Sequence, residues 1–505
     1  MPAIRILEDD SSCLGSERLA AVISADEMSI SDMADHVGST PMHTISEHMA
    51  FVPLALCGFL AVNLASLSVV DLSLGTGCSG IDVLVPSLLM LCASLCTKYR
   101  LPQLEWNHLW SCDIELNKRR WLRDVMNVPT IFTDMCQMPS GTAFCFVQQR
   151  IQTVKSVFAF SCGFSCQSVS SAHTHRSDYH GCLANGTGKT GKTYRACMQL
   201  IALLLPILVW LENVSGLSAS DRATVVAELE ALGYCVVVIV SNLAHHGIPC
   251  RRVRVWFLAC LLPFPVSAEF REATQHHAAC IEMKLRRSPL SLSRFIMKPG
   301  DVDFDFHAAA SQHKRGPRKL KKHAKWKRLH RQLWATHRQK GMAIPRLPRH
   351  WNDMFVRCHF TRREADACLL DIARYPKHYG RDQTIFFDIS QSAHRMSHQC
   401  GICPTILPTG KLVISRTQDV RPLFGVEALA LQGIHSSMLP CVAATRAFDD
   451  RFFRHAAGNA FSGPQSQLGI VISLCVFELP SSEHEVEARR ARARFLQQLA
   501  GVSFA

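Results

Sequence analysis

The sequence predicts a doubly wound, Rossmann-like α/β domain joined to a smaller, irregular, basic domain. Two observations carry this. Between residues 67 and 260, short apolar runs alternate with helical patterns, and several runs stop abruptly at glycine, acid or cysteine. After Cys260 the alternation fades into a stretch rich in His, Arg and Pro that lasts to about residue 420. With 505 residues and 48% apolar content, the chain can fill two cores.

Taken in order, residues 1–48 are acidic, rich in Ser, Met and Asp, and weakly patterned, so they read as a flexible extension. Ala50 to Val70 is apolar for about the length that spans a bilayer. Pro53, Gly58, Asn63, Ser66 and Ser68 interrupt it, which favours a core helix followed by a buried strand; no membrane partner is expected. Leu67–Leu74 then reads as a strand, Ile81–Leu95 as a helix, His108–Cys112 as a strand and Lys118–Val125 as a helix. Thr130–Thr133 and Val157–Phe160 are strands, Tyr194–Leu205 a helix, Ile207–Leu211 a strand and Ser218–Leu232 a helix. Tyr234–Val240 and Val253–Cys260 are strands that can pair as neighbours. Regular structure resumes near Val426, with a last apolar segment at Leu468–Phe477 and a charged helical tail at Ser482–Leu499. The expected units are a sheet domain over 49–262, a basic domain over 263–435, and a return to the first over 436–505.

The net charge of +14 suits an anionic partner, above all nucleic acid. Residues 313–340 hold twelve Lys or Arg and no acid, with Trp326 and Trp334 interleaved. They read as a solvated helix face or nuclear-import signal, or as a phosphate-contacting surface through Lys321, Lys322, Lys325 and Arg328, the tryptophans packing or stacking. The 22 cysteines are scattered, and no cleavable signal pattern precedes them. Reduced thiols in an intracellular chain are therefore expected, with a nuclear location. Cys400-x-x-Cys403 has the form of half a zinc site, but no second pair stands at ribbon spacing, so no metal is expected.

The chemistry-bearing residues fall at strand ends. Val69 to Gly80 is a strand running into a glycine-rich turn, where backbone can approach a cofactor. The next strands end in acid, at Asp113 and at Asp134, and a carboxylate in the first of these places can hold ribose hydroxyls. Three such ends in succession read as a site for an adenosine cofactor. Cys166 lies just past the fourth strand and Glu212 at the end of the fifth, so thiol and carboxyl can face one crevice. In its apolar context Glu212 can hold a raised pKa and serve as an acid. Gly186 to Thr193 matches a phosphate-loop pattern, but the polar residues before it are no buried strand. A basic, Gly-rich loop that closes over a substrate is the alternative.

This ordered set resembles the DNA (cytosine-5) methyltransferase family. Asp71-Leu-Ser-Leu-Gly-Thr-Gly77 is similar to its methyl-donor motif, and Gly163-Phe-Ser-Cys-Gln-Ser-Val-Ser170 to its catalytic motif. Glu212-Asn213-Val214, His246 to Arg254, Glu427 to Gly433 and Ala457-Gly-Asn-Ala460 resemble further motifs, all in family order. The resemblance implies transfer of a methyl group from S-adenosylmethionine to carbon 5 of cytosine in DNA. The implied cofactor residues are Asp71, Leu72, Gly75, Thr76, Gly77, Asp113, Ile114, Asp134, Met135, Asn459 and Ala460. Cys166 would attack ring carbon 6, Glu212 would hydrogen-bond the ring nitrogen, Arg254 would contact the base carbonyl and Arg252 would hold the thiol loop. Gln167, Ser170 and the basic run would meet the nucleic acid, and the protein would act as a monomer. The same chemistry on RNA, or a catalytically impaired relative, are the alternatives. The second rests on Ser73 in place of Phe, Cys78 of Gly, Ser165 of Pro, Cys250 of Gln and Val426 of Arg. Arg195 is the candidate for a further family arginine after the catalytic loop.

Overall fold

The computed structural model describes residues 54–170, 181–298, 304, 307, 321–341 and 360–499, apart from 376, 379–382, 392–397, 417, 418, 436, 437 and 442. The acidic stretch 1–48 and the first residues of the basic run lie outside them.

The chain enters through α1 (Leu54–Leu67), apolar on nearly every side, and β1 (Leu72–Gly77), buried along its whole length. The strand therefore starts five residues later than the sequence suggests. Leu67 finishes a helix, and the glycine pair belongs to the strand rather than to a turn beyond it. Next come α2 (Leu84–Tyr99), β2 (Trp106–Cys112), α3 (Leu116–Asp124) and the two-residue β3 (Ile131–Phe132). A hairpin, β4 (Thr142–Cys145) and β5 (Arg150–Thr153), extends the sheet at one edge. Then follow β6 (Ala159–Cys162), α4 (Gly188–Leu204), β7 (Leu208–Val214), α5 (Ala219–Ala231), β8 (Tyr234–Asn242), β9 (Val253–Leu261) and α6 (Ala268–Lys284).

The nine strands lie in the order β5-β4-β3-β2-β1-β6-β7-β9-β8. β3, β2, β1, β6 and β7 are parallel, while β9 runs antiparallel between β7 and β8. Strand order reverses at β1 and β6, the place where an open α/β sheet leaves a crevice at its carboxyl ends. Helices cover both faces, so the central strands are apolar throughout instead of alternating.

The region expected to be irregular holds a second sheet. After α7 (Lys321–Gln339) and α8 (Arg362–Arg374) come β10 (Ile385–Asp388), β11 (His398–Cys400), β12 (Leu412–Arg416) and β13 (Asp419–Pro422). They form an antiparallel sheet in the order β11-β10-β12-β13. The chain closes with α9 (Gly425–Ala430), α10 (Asp450–Asn459), α11 (Gly463–Val476) and α12 (Glu483–Leu499).

The expected boundaries shift on both sides. Residues 263–285 stay with the large sheet: Ala278, Ile281 and Leu285 join its core, and Gln275 bonds both backbone groups of Val238 on β8. The return to the first domain starts near Leu423, because Leu423, Ala428 and Leu429 pack with Trp121, Ile131, Phe452 and Phe453. That second cluster also takes Phe386 and Ile414 from the small sheet, so it joins the two sheets. Among the described residues no helix is long and apolar enough to cross a membrane. No two described cysteines are joined by a disulfide.

Candidate functional site

At the carboxyl end of β1 the backbone turns sharply. Cys78 adopts a left-handed conformation (φ 49°), which explains why glycine is favoured there. A side chain at Gly80 would meet open space, whereas one at Gly75 would collide with the Trp110 indole. Gly75 is thus required by packing inside the strand. A side chain at Gly77 would crowd Met135 and Phe160. Asp71 and Leu72 lie at the opposite, amino end of β1. Asp71 is exposed and its N–H donates to Glu483 at 2.6 Å, while Leu72 is core. Neither can reach the crevice, because six extended residues separate the two ends of the strand. Thr76 is buried too. Its hydroxyl donates to Asp82 at 2.8 Å, and Ser111 donates to the same carboxylate oxygen at 2.6 Å, so these residues lock the turn from beneath.

Asp113, just past β2, faces this turn. Its carboxylate accepts the N–H of Gly80 at 2.9 Å and of Glu115 at 2.8 Å, and burial raises its pKa against the pull of Lys118. Beside it Ile114 is 72% exposed, an apolar surface in the open at a strand end. Asp134, past β3, accepts the Cys136 N–H at 2.9 Å, and Met135 is buried. His455 of α10 approaches Glu115 at 3.7 Å, which brings the exposed Asn459, one turn further on, to the same side. The Ala460 carbonyl is already taken by Arg252. Open space at Gly80, the bare face of Ile114 and acids at two neighbouring strand ends fit an adenosine group.

The thiol lies across the switch point. β6 ends at Cys162, and a side chain at Gly163 would stand 2.6 Å from the Phe461 ring, which itself packs on Trp256. The loop that follows is tied at several points. Asn213 donates to the Phe164 carbonyl at 3.0 Å. The Ser165 N–H donates to Thr193 at 3.1 Å and the Ser168 N–H to Thr190 at 3.0 Å. The N–H groups of Val169 and Ser170 fold back on the Cys166 carbonyl. A proline at 165 could not donate. Ser165 therefore exchanges ring rigidity for a hydrogen bond, and the loop is held. The other departures are also absorbed: Ser73 accepts the Phe158 N–H at 3.0 Å inside the core, and Cys250 packs against Cys403 and Gln432.

Glu212, 8% exposed, ends β7 and pairs with the Arg254 guanidinium at 2.8 Å. Strand pairing sets this contact, since Val214 stands opposite Arg254 across β7 and β9. Burial raises the Glu212 pKa, opposed by Arg254 and Arg252. Burial and then Glu212 raise the Cys166 pKa, opposed by the same arginines. Thiol, carboxyl and two guanidiniums thus share one electrostatic neighbourhood. Two like charges there are unfavourable, so ionising either Cys166 or Glu212 makes ionising the other harder. Among the described residues, Arg252 sends its hydrogen bonds elsewhere than to the thiol loop. It is buried and donates to the carbonyls of Gly458 and Ala460, anchoring the 457–460 segment to β9. Burial and Arg254 lower its pKa to about 9.

Other sequence readings change. Residues 188–193 are the first turns of α4, not a closing loop; Gly191 packs on the Cys182 carbonyl, and Thr190 and Thr193 buttress the thiol loop. Arg195 binds the carbonyls of Leu183 and Ala184 and the carboxylate of Glu228, which makes it a strut. Gln167 is exposed and Ser170 half-buried beside the thiol. Lys321, Lys322, Lys325 and Arg328 lie on α7, with Arg328 exposed. Trp334 donates to Asp366 at 3.1 Å, which ties α7 to α8. Sequence reasoning missed Asp82 and Phe461, and it marked Thr190 and Thr193 only as part of the Gly186–Thr193 loop.

The strand order, with acids past β2 and β3 and a thiol past β6, is that of the Rossmann-like methyltransferase fold. Residues 146–357 match the family of C-5 cytosine-specific DNA methylases. A DNA (cytosine-5-)-methyltransferase of Cryptococcus neoformans is 23% identical over 385 residues, 72% of this chain and 15% of that protein. The chain thus spans a small part of that curated relative's length. Among solved structures, a methyltransferase of Entamoeba histolytica (12% identity, TM-score 0.44) is matched over 81% of this chain and 99% of its own. The Dnmt2 methyltransferase of S. pombe (11% identity, TM-score 0.38) is matched over 80% and 98%.

Proposed function

We propose that the protein methylates carbon 5 of cytosine in DNA, using S-adenosylmethionine and a transient bond to Cys166. The observation that carries this is the thiol loop past β6, set beside the buried Glu212–Arg254 pair at the end of β7. Gly77 to Gly80, Asp113, Ile114, Asp134 and Asn459 would hold the cofactor, whose chemistry is to supply an electrophilic methyl group. A cytosine stacked inside a duplex is out of reach of the half-buried Cys166 thiol, so the base must be extruded. Cys166 then adds to ring carbon 6. Glu212, whose pKa burial raises, donates to the ring nitrogen as electron density builds there. Arg254 fixes the Glu212 carboxyl and lowers the cost of the thiolate. After methyl transfer, a base takes the carbon 5 proton, the carbon 5–carbon 6 double bond re-forms, and the carbon 6–sulfur bond breaks to release the Cys166 thiolate. The exposed basic face of α7 would meet phosphates, and the same run would serve nuclear import.

A 5-fluorocytosine oligonucleotide tests the reading, because the fluorine blocks the last step and leaves protein joined to base. With S-adenosylmethionine, the chain should yield a denaturant-stable adduct that Cys166→Ala lacks. Folded protein that forms no adduct on DNA would refute the proposal, and an adduct on RNA alone would reassign the substrate.

A further inference from the structure

The small sheet carries a cluster that the methyl-transfer reading leaves unused. His398 and Cys400 stand two residues apart on β11, so they project from the same face. In register they oppose Phe387 and Ile385, whose side chains lie in the small core with Ala367, Cys368 and Ile372 of α8. The pair therefore points under α8. His378, four residues beyond the end of that helix, reaches the same point. Its Nδ1 lies 2.7 Å from His398 Nε2, and Cys400 Sγ lies 3.6 Å from that nitrogen. One ligand atom from each of the three falls within 4.8 Å of the others.

Two further contacts prepare these atoms. The carboxylate of Asp371, fully buried on α8, lies 2.7 Å from His398 Nδ1. A carboxylate can only accept, so Nδ1 carries the proton and Nε2 turns its lone pair toward the cluster. This is the carboxylate–histidine arrangement that orients metal ligands. Tyr375 stacks on both imidazoles, at 4.0 Å from His398 and 5.6 Å from His378, and fixes their planes.

We propose that His378, His398 and Cys400 bind a zinc ion that fastens β11 to the end of α8. A set of one thiolate and two imidazoles selects zinc over the hard cations, and water completes the tetrahedron. The local structure needs such a clasp. β11 is a three-residue edge strand, and among the described residues the core beneath it holds eight buried apolar side chains. The Cys400-x-x-Cys403 spacing obscures the site in the sequence. Cys403 turns the other way and pairs with Cys250 of the large domain.

Zinc content of the full chain, purified without chelator, tests this. A single zinc per chain is expected, falling to background in His378→Ala and unchanged in Cys280→Ser. Refilling the stripped chain with cobalt should give a thiolate-to-cobalt charge-transfer band. Cys400→His should keep the metal and lose the band, which guards against a variant that merely fails to fold. Asp371→Asn should weaken zinc binding by about 10–100-fold. Zinc missing from native and refilled chain alike, or a cobalt band that survives in Cys400→His, would overturn the assignment. In that case the histidines are simply hydrogen-bonded to each other.

Discussion

The two sheets of this molecule are held by different forces. The nine-stranded sheet sits in one continuous apolar cluster that reaches from α1 to α12. Its polar side chains gather where strands end: Asp113, Asp134, Cys166, Glu212. The four-stranded sheet lends one apolar face to the second cluster, packs the other on a small cluster of its own, and adds buried charged pairs. Arg421 grips Glu427 through two bonds, at 2.7 and 2.9 Å, with both side chains 1% exposed. Lys411 meets Glu364 at 3.1 Å, and Glu364 also closes the capping box of α8. Where apolar burial suffices, polar residues remain for chemistry. Where it does not, they are structural. An acid in a motif therefore means different things in the two regions. Glu427 opens a family motif, yet its carboxylate is fully engaged by Arg421 and by the N–H groups of Met297 and Phe424.

Removing one partner from each charged pair breaks this comparison most severely. Arg421→Ala leaves the Glu427 carboxylate buried and unmatched, at an expected cost of about 3–5 kcal/mol. Chemical unfolding measures it. A loss no greater than that of Arg328→Ala, on the exposed face of α7, would show that the small sheet does not depend on charge.

The same operation at the other pair should strike chemistry instead. Glu212→Gln keeps the shape beside Arg254 but cannot deliver a proton with the same ease. Adduct formation with fluorocytosine DNA should slow by about 10²–10³-fold, or about 2.7–4 kcal/mol. The unfolding midpoint should change little, because burial of the Glu212 charge is itself unfavourable. A large stability loss with unchanged adduct rate would make Glu212 a structural acid like Glu427.

Gly75→Ala examines the apolar side. The added methyl group collides with Trp110, which is wedged against Phe132 and Phe160. Overpacking of this kind costs about 1–3 kcal/mol. Were Gly75 only a contact for the cofactor, S-adenosylmethionine binding would fall and stability would hold.

How much was legible in the sequence follows from the same contrast. The alternation of apolar runs and helices marks the strands of the large sheet, because burial on both faces writes itself into composition. Strand-end acids and the thiol stand out against that background. Boundaries blur where apolar character continues across a turn, as from α1 into β1. The small sheet is illegible: its strands have three to five residues, and contacts such as Arg421–Glu427 and His398–Asp371 follow no period in the sequence. Long-range fits are hidden for a related reason. Gly163 beneath Phe461 and Arg252 beneath Gly458 join distant segments, and neither partner points to the other in the sequence.

The smallest effect is the most informative about the thiol. Thr193→Val removes the acceptor of the Ser165 N–H without changing size much, and the lost bond is worth about 1 kcal/mol. The loop should then hold Cys166 less firmly, so adduct formation should slow by about fivefold for each kcal/mol that the tie supplied. Thr193 also donates to the carbonyls of Lys189 and Thr190 within α4, so a slower rate alone has two explanations. Ser165→Pro separates them. A proline at 165 has no N–H to lose, so Thr193→Val made in that background should leave the adduct rate almost untouched. If the two changes couple, the tie and not the helix sets the thiol. If they simply add, Thr193 acts through α4, and the rigidity of the loop comes from Asn213 and from the fold-back onto the Cys166 carbonyl.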